Sequence, residues 1–185
     1  MLEVRSLAIP DVKLVRTERF SDARGYFCET FRRSAFAEKG IPNDFIQDNQ
    51  SCSEPVGTVR GLHFQRPPFA QAKLIRVLKG AILDVAVDLR RSSPTFGRHV
   101  SVKLDSESDE QLFVPKGFAH GFCTLQPQTM VFYKVDEVYS PAHDGGIHWA
   151  DSDLAIEWPV KASEVRLSAK DRTLPNFDQL VSVFE

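Results

Sequence analysis

Short runs of β-branched and aromatic residues, separated by turn-forming residues, recur along most of this chain. In 82–88 Asp84 interrupts an otherwise apolar run that ends at Asp88, a pattern typical of a strand buried on one or both faces. Because these runs are short and bounded by glycine or proline, they predict strands rather than helices. The clearest predicted strands are 73–78, 81–87, 99–104, 111–114 and 129–135.

Helical patterns are scarce. Residues 35–39 are compatible with a helix, for which Ser34 is the predicted N-cap and Gly40 followed by Pro42 the predicted stop. A second short helix is indicated near Asp171. No repeat, low-complexity tract or linker divides the 185 residues, so we predict one domain, 1–185. Many short strands without alternating helices favour an all-β fold, a β-sandwich or jelly roll with a few short helices.

The charge balance excludes several partner classes. The formal net charge is −2, so no overall basic field predicts nucleic acid or an anionic membrane as a partner, and a few local cations must meet any anionic substrate. Near the N-terminus Arg5, Asp11 and Lys13 interrupt the apolar positions before a secretory signal can form. Three cysteines without CxxC spacing indicate reduced thiols, which favours a cytoplasmic protein without a zinc site.

The middle of the chain resembles the first motif of the cupins, a jelly-roll superfamily, written G-x5-HxH-x3,4-E-x6-G. Gly57 and His63 match its opening. Gln65 stands at the second histidine position, and Lys73, separated from Gly80 by six residues, stands where the glutamate is expected. In metal-binding cupins these positions supply ligands, so the resemblance predicts a jelly roll whose metal ligands have been replaced.

A second cupin motif, G-x5-PxG-x2-H-x3-N, is also partly present. Residues 115–120 carry its PxG-x2-H core, ending at His120, whereas Asp109 and Thr124 replace the first glycine and the last asparagine. A divalent metal needs three or four neutral imidazoles and carboxylates, and here two imidazoles remain beside a lysine. A lysine ammonium would repel a metal and must lose its proton to coordinate one. We therefore expect no metal, and a cavity suited to an anionic or electron-rich oxygen.

Further segments make a closer resemblance. They are 22–29, 47–51, 58–65, 71–74, 93–97, 118–122, 133–134, 139–141, 146–149 and 167–171. In this order and spacing they resemble the dTDP-4-dehydrorhamnose 3,5-epimerase family across 9–178. The resemblance implies a homodimeric cupin jelly roll of L-rhamnose biosynthesis. Such an isomerase inverts C3 and C5 of dTDP-4-dehydro-6-deoxy-D-glucose without a cofactor.

Those carbons flank a ketone, so each can lose a proton if the resulting enolate is stabilised. His63 is the natural base, since an imidazole titrates near neutral pH. The resemblance makes Asp171 its orienting partner and places Lys73 beside the C4 oxygen, where negative charge develops. Tyr133, on a predicted strand, would return the proton from the opposite face. Taken singly, each of these residues also has an ordinary structural interpretation.

The resemblance also implies substrate contacts. Arginine suits the two phosphates, and an aromatic ring suits the thymine. Tyr139 matches the residue that stacks on the base, and Asp144 replaces a glutamate common in the family, which bears on base selectivity. An N-terminal arm, about 1–30, can complete the partner's site in this family, although Arg24 and Glu29 can equally be read as a surface ion pair. The predicted contacts are Arg24, Glu29, Gln47, Asp48, Asn49, Arg60, Lys73, His120, Tyr139, Asp144 and Lys170.

Three alternatives stay open on sequence grounds. The first is an enzyme that inverts only C3 or only C5, or that acts on a related nucleotide-linked 4-keto sugar. The second is a cupin that binds a sugar without catalysis. Loss of His63, Tyr133 or Asp171 would favour it, and all three residues are present. The third is a metal-dependent cupin oxygenase or isomerase, which the loss of two ligand positions disfavours.

Overall fold

The computed structural model describes residues 2–180 and 184–185. Strands dominate these residues. They are β1 (Glu3–Ser6), β2 (Lys13–Arg16), β3 (Arg19–Asp22), β4 (Gly25–Cys28), β5 (Gln47–Ser53), β6 (Val59–Gln65), β7 (Lys73–Lys79), β8 (Ala81–Asp88), β9 (His99–Asp105), β10 (Glu110–Val114), β11 (Phe118–Thr124), β12 (Thr129–Val135) and β13 (Asp144–Gly146). The five strands predicted from the apolar pattern are confirmed as β7, β8, β9, β10 and β12, each within one residue at either end.

Two antiparallel sheets form a sandwich. The six-stranded sheet has the order β1-β2-β10-β7-β12-β5, and the five-stranded sheet has the order β13-β6-β11-β8-β9. Their facing side chains share one core, to which Ile75 and Leu112 contribute from the first sheet and Ile82 and Phe122 from the second. The apolar alternation of short strands thus gives the all-β sandwich that was predicted.

Strand β6 lies unusually close to β11 at Gly61. A Cβ atom at this position, where φ is +123°, would stand 2.6 Å from the Cα atom of Gly121, so the pairing requires glycine. Two residues further along, His63 lies opposite His120 in the register of the two strands. The pairing therefore places two histidines side by side on neighbouring strands of the five-stranded sheet.

The helices are short. The predicted early helix is present as α1 (Arg33–Glu38), but its N-cap is Arg32 and no side chain caps it, so the prediction of Ser34 as the cap was wrong. Ser34 lies inside the first turn, because the chain enters the helix two residues earlier to bury Phe36. The helix predicted near Asp171 is the single 3₁₀ turn Asp171–Thr173. No helix within the described residues is long and apolar enough to cross a membrane.

Among the described strands, β3 and β4 pair only with each other, as a hairpin outside both sheets. Within the predicted arm, 1–30, β1 and β2 instead belong to the edge of the six-stranded sheet. Residues 20–27 of the hairpin are all exposed, including the aromatic side chains of Phe20, Tyr26 and Phe27. Its base is held by Arg19, which pairs with Asp109 at 2.6 Å.

Candidate active site

Two adjoining cavities lie between the sheets. One has a volume of about 600 Å³ and the other about 300 Å³. Four side chains line both of them: His63, Lys73, Tyr133 and Lys170. The predicted catalytic residues are therefore brought together, from segments as far apart as β6 and the 3₁₀ turn at Asp171.

His63 and Asp171 form a hydrogen-bonded pair. The Nε2 atom of His63 lies 2.6 Å from Oδ1 of Asp171, and the Asp171 side chain is 3% exposed. Burial alone would raise the pKa of Asp171, but the hydrogen bond and charge of His63 and the N–H of Gly61 hold that pKa below its ordinary value. An ionised Asp171 orients the imidazole through Nε2, which leaves Nδ1 for a ligand in the cavity.

Lys73 is a buried cation at the meeting point of the two cavities. Burial lowers its pKa to about 8, against the carboxylates of Asp84 and Asp144, which favour the ammonium form, while Lys170 adds to the lowering. At neutral pH the side chain is therefore still charged. Such a charge in a site of low dielectric constant can strongly stabilise an oxyanion.

Tyr133 faces the cavity from the other wall. It lies on β12 of the six-stranded sheet, whereas His63 lies on β6 of the five-stranded sheet. Burial raises the pKa of the Tyr133 phenol, with Arg60 opposing, so the hydroxyl is protonated over the physiological range. A base on one wall and a phenol on the other can thus reach the two faces of a ring bound between them.

Asp84 is a functional candidate that the sequence did not single out. Its carboxylate is fully buried, and its Oδ1 lies 2.5 Å from Nε2 of His120, which lines the larger cavity. The other oxygen, Oδ2, has no hydrogen-bond partner among the described residues. The signal was present as a lone carboxylate in an apolar strand, because such a group is rarely buried without a charged or hydrogen-bonded partner.

The smaller cavity has a polar lining at its outer end. Gln47 and Asn49 contribute from β5, and Tyr139 contributes a side chain that is 55% exposed. Gln65, at the position of a cupin ligand, is buried and uses its amide differently. It donates to the carbonyls of residues 69 and 138 and accepts from the N–H of Ser140, thereby fixing the loop that carries Tyr139.

Of the six remaining predicted contacts, three line a cavity and three do not. Arg60 lines the larger cavity and is held there by Ser53, while Asp144 and Lys170 line the smaller one. Asp48 lines neither cavity, because strand alternation turns it away from Gln47 and Asn49 and into an ion pair with Lys134.

Arg24 and Glu29 also lie outside both cavities of their own chain. Arg24 sits at the end of the β3–β4 hairpin, 90% exposed and paired with Asp22 at 2.6 Å. Glu29 pairs with Arg32, so the two residues do not form the ion pair with each other that the sequence also allowed. Both side chains are nevertheless more than half exposed, Arg24 at 90% and Glu29 at 52%.

The part of the chain that the structure describes contains no group of three or more His, Cys, Asp or Glu side chains placed to hold a metal ion. Each imidazole of the site pairs with a single carboxylate, and Lys73 lines the same cavity. These residues suit the removal of a proton beside a carbonyl group and the stabilisation of the negative charge that follows.

Comparison with known proteins gives a consistent result. The family model described as dTDP-4-dehydrorhamnose 3,5-epimerase matches residues 6–179. A dTDP-4-dehydrorhamnose 3,5-epimerase of Sinorhizobium fredii is 49% identical over 181 residues, which cover 98% of this chain and 92% of that protein.

Solved structures match as well. That of a dTDP-4-dehydrorhamnose 3,5-epimerase from Bacillus anthracis, with TDP and PPi bound, is 50% identical with a TM-score of 0.92, covering 96% of this chain and 100% of that one. A dTDP-6-deoxy-D-glucose-3,5-epimerase from Legionella pneumophila, in complex with dTDP-4-keto-L-rhamnose, is 39% identical with a TM-score of 0.93. The match covers 98% of this chain and 95% of that one.

Proposed function

The chain belongs to the dTDP-4-dehydrorhamnose 3,5-epimerase family, and from this premise we propose that it converts dTDP-4-dehydro-6-deoxy-D-glucose into dTDP-4-dehydro-L-rhamnose. The observation that carries the proposal is the arrangement of the site. The imidazole of His63, paired with Asp171, and the phenol of Tyr133 stand on opposite walls of one cavity, with the Lys73 side chain between the sheets. Inversion beside a ketone needs these three groups.

The reaction proceeds by two proton transfers at each carbon. His63 takes the proton from C3 through Nδ1, and the electron pair of the C–H bond moves into the C4 carbonyl to form an enolate. The ammonium of Lys73 stabilises the enolate oxygen. When the carbonyl re-forms, the carbon takes the phenol proton of Tyr133 on the opposite face. Exchange with water returns His63 and Tyr133 to their starting states, and C5 is inverted in the same way.

We propose that neither a metal nor an organic cofactor takes part. Two of the positions that bind metal in cupins hold an ammonium group, Lys73, and an amide already committed to backbone groups, Gln65. The C4 ketone of the substrate already acidifies the protons to be removed, so no further electron sink is needed.

The three cysteines are all free, which fits a reducing, cytoplasmic compartment.

The proposal is tested by isotope exchange. Incubation of the protein with dTDP-4-dehydro-6-deoxy-D-glucose in deuterated water, followed by proton NMR, should show loss of the proton signals at both C3 and C5. Reduction of the ketone and analysis of the released sugar should show the L configuration. Exchange at C3 or at C5 alone would identify a mono-epimerase, and no exchange at either carbon would leave a non-catalytic sugar-binding protein or another substrate.

Tyr133→Phe is the matched control in this experiment. The variant keeps His63 and Lys73, so deuterium should still enter on the His63 side of the ring. Without the phenol, delivery from the opposite face should fall by about 10²- to 10⁴-fold, the usual contribution of a general acid. Exchange with retained configuration is therefore expected. A variant that inverts the sugar at the wild-type rate would exclude Tyr133 as the acid.

We further propose that the protein works as a homodimer in which the β3–β4 hairpin of one subunit completes the site of the other. Arg24 lies at the hairpin end and lines neither cavity of its own chain, so a role in binding the diphosphate would place it in the site of another subunit. The hairpin also exposes Phe20, Tyr26 and Phe27, an apolar surface that a second copy would cover.

Mixed dimers test this arrangement. Arg24→Ala and His63→Ala should each be impaired as homodimers, whereas a heterodimer of the two, purified with two different tags, should regain one intact site. Its kcat/KM per dimer should be about half that of the wild type, because a two-fold dimer has two equivalent sites. A heterodimer no more active than its parents would show that Arg24 acts within its own chain or not at all.

A further inference from the structure

Arg166 is fixed beside the first residues of β6. Its backbone N–H donates to the carbonyl of Gly57 at 3.0 Å, and its own carbonyl accepts from the N–H of Val59 at 2.9 Å. Arg166 thereby pairs with Thr58 as an isolated parallel bridge. Paired residues of a sheet carry their side chains on one face, and so do residues two apart on a strand. The side chains of Arg166 and Arg60 consequently share a face.

Both arginines line the larger cavity, and neither lines the smaller one. The Arg60 guanidinium is anchored, because Nε donates to Oγ of Ser53 and Nη2 donates to the carbonyl of Cys52, each at 3.0 Å. Its other N–H groups stay available to a ligand. The Arg166 side chain is exposed and makes no hydrogen bond or ion pair with any residue that the structure describes.

The lining of the larger cavity carries more positive than negative charge. Its cationic side chains are Arg60, Lys73, Arg166 and Lys170, and its carboxylates are those of Glu54 and Asp171. Asp171 is paired with His63, and Glu54 forms no ion pair within the described part of the chain. Like charges side by side repel each other, so an anionic ligand between the two guanidinium groups would relieve their repulsion.

We propose that Arg60 and Arg166 form a subsite for a phosphate-class oxyanion, at the end of the larger cavity that is not shared with the smaller one. Two guanidinium groups offer several N–H donors whose geometry suits phosphate oxygens. The charge of Arg60 also acts on the phenol of Tyr133, so the subsite adjoins the catalytic residues. The oxyanion can come from the diphosphate of the substrate, which rests on the proposed function, or from free inorganic diphosphate, which does not.

Titration calorimetry with inorganic diphosphate tests the subsite. Arg166→Ala should bind it about tenfold more weakly than the wild type, because one of two charged donors is lost. Arg166→Lys should fall between them, since lysine keeps the charge without the fork of N–H groups. Glu54→Gln should bind about two- to threefold more tightly, because it removes a negative charge from the lining.

Arg172→Ala is the matched control, since Arg172 is also exposed but lines neither cavity. It should bind inorganic diphosphate and dTDP like the wild type. The hydrogen bonds that hold residue 166 use its backbone, so the Arg166 variants should keep the wild-type circular dichroism spectrum. If neither ligand loses more affinity in Arg166→Ala than in Arg172→Ala, the proposal is overturned.

Titration with dTDP distinguishes the two sources of the oxyanion. If the subsite holds the diphosphate of the substrate, Arg166→Ala should weaken dTDP about tenfold and raise KM with kcat within about threefold. Inorganic diphosphate should then compete with dTDP. If the subsite holds a separate anion, the affinity for dTDP should not change, and both ligands should bind at once.

Deuterium exchange separates this proposal from the proposed function. A wild type that exchanges no deuterium, but needs Arg166 to bind inorganic diphosphate, would remove the activity and keep the subsite. Normal exchange in a protein whose affinities for inorganic diphosphate and dTDP do not depend on Arg166 would remove the subsite and keep the activity.

Discussion

Replacing His63 with alanine is expected to lower kcat/KM by about three orders of magnitude, which is within the usual range for a general base. The substitution removes the nitrogen that takes the proton and leaves the cavity walls in place. Lys73 and Tyr133 remain, but neither can replace the imidazole near neutral pH, because one is an ammonium and the other a neutral phenol. Initial rates of proton loss at C3 and C5, measured by NMR, give the result directly.

The same substitution should also reduce stability. Asp171 is buried and owes its lowered pKa partly to His63, so the alanine variant leaves a buried carboxylate with fewer partners. The loss should be about 1–3 kcal/mol in the free energy of unfolding, the usual cost of an unsatisfied buried group. Urea unfolding at pH 7 measures it, and far-ultraviolet circular dichroism shows that the variant is folded when its rate is taken.

Asp171→Asn is the control that separates the base from its orientation. The amide keeps the shape of the carboxylate and can still bond to Nε2, but it does not stabilise an imidazolium. The variant should lose about 10²-fold or more in kcat/KM while His63 remains in place. His63→Ala with near-wild-type exchange would remove His63 from the mechanism, and Asp171→Asn with near-wild-type exchange would remove the dyad.

The apolar pattern was sufficient to predict the sandwich but not every strand in it. Strands such as β8 and β12 are marked by β-branched and aromatic residues, whereas β5 is mostly polar and pairs with β12 along its whole length. Ser34 failed as a cap because burial of Phe36 sets where the helix begins. Tertiary packing decides both cases, and local sequence propensity carries no information about that packing.

The site could be predicted only in part, for a physical reason. His63 and Asp171 are 108 residues apart in the sequence, so no spacing rule brings them together, and the family resemblance alone connected them. Asp48 shows the converse. Two-residue alternation along β5 is enough to separate it from Gln47 and Asn49, once the strand is known. Asp84 was visible as an anomaly, but its partner, His120, became known only from the fold.

The second large effect is expected at Lys73. Lys73→Met should lower kcat/KM by about 10²- to 10³-fold, the usual consequence of removing one donor from an oxyanion site. In the wild type the ammonium form is required, and its pKa is about 8, so kcat/KM should fall as pH rises above that value. Lys73→Arg restores the charge with a group that does not titrate in this range, so any residual activity should lack this limb. A limb near pH 8 that persists in Lys73→Arg would assign it to another group.

As pH rises through the pKa of Lys73, the free energy of unfolding should increase while activity falls. Because burial lowers the pKa of Lys73 from 10.5 to about 8, the unfolded chain binds more protons than the folded one between these values. The free energy of unfolding of the wild type should therefore rise relative to Lys73→Met as pH increases from 8 to 10.5, by up to about 3 kcal/mol. Urea unfolding of both proteins at pH 7, 8.5 and 10 measures the difference. If the free energy of unfolding of the wild type does not rise relative to that of Lys73→Met between pH 7 and pH 10, burial does not destabilise the charged form of Lys73. If it does rise, the ammonium group that stabilises the enolate also destabilises the folded protein at neutral pH.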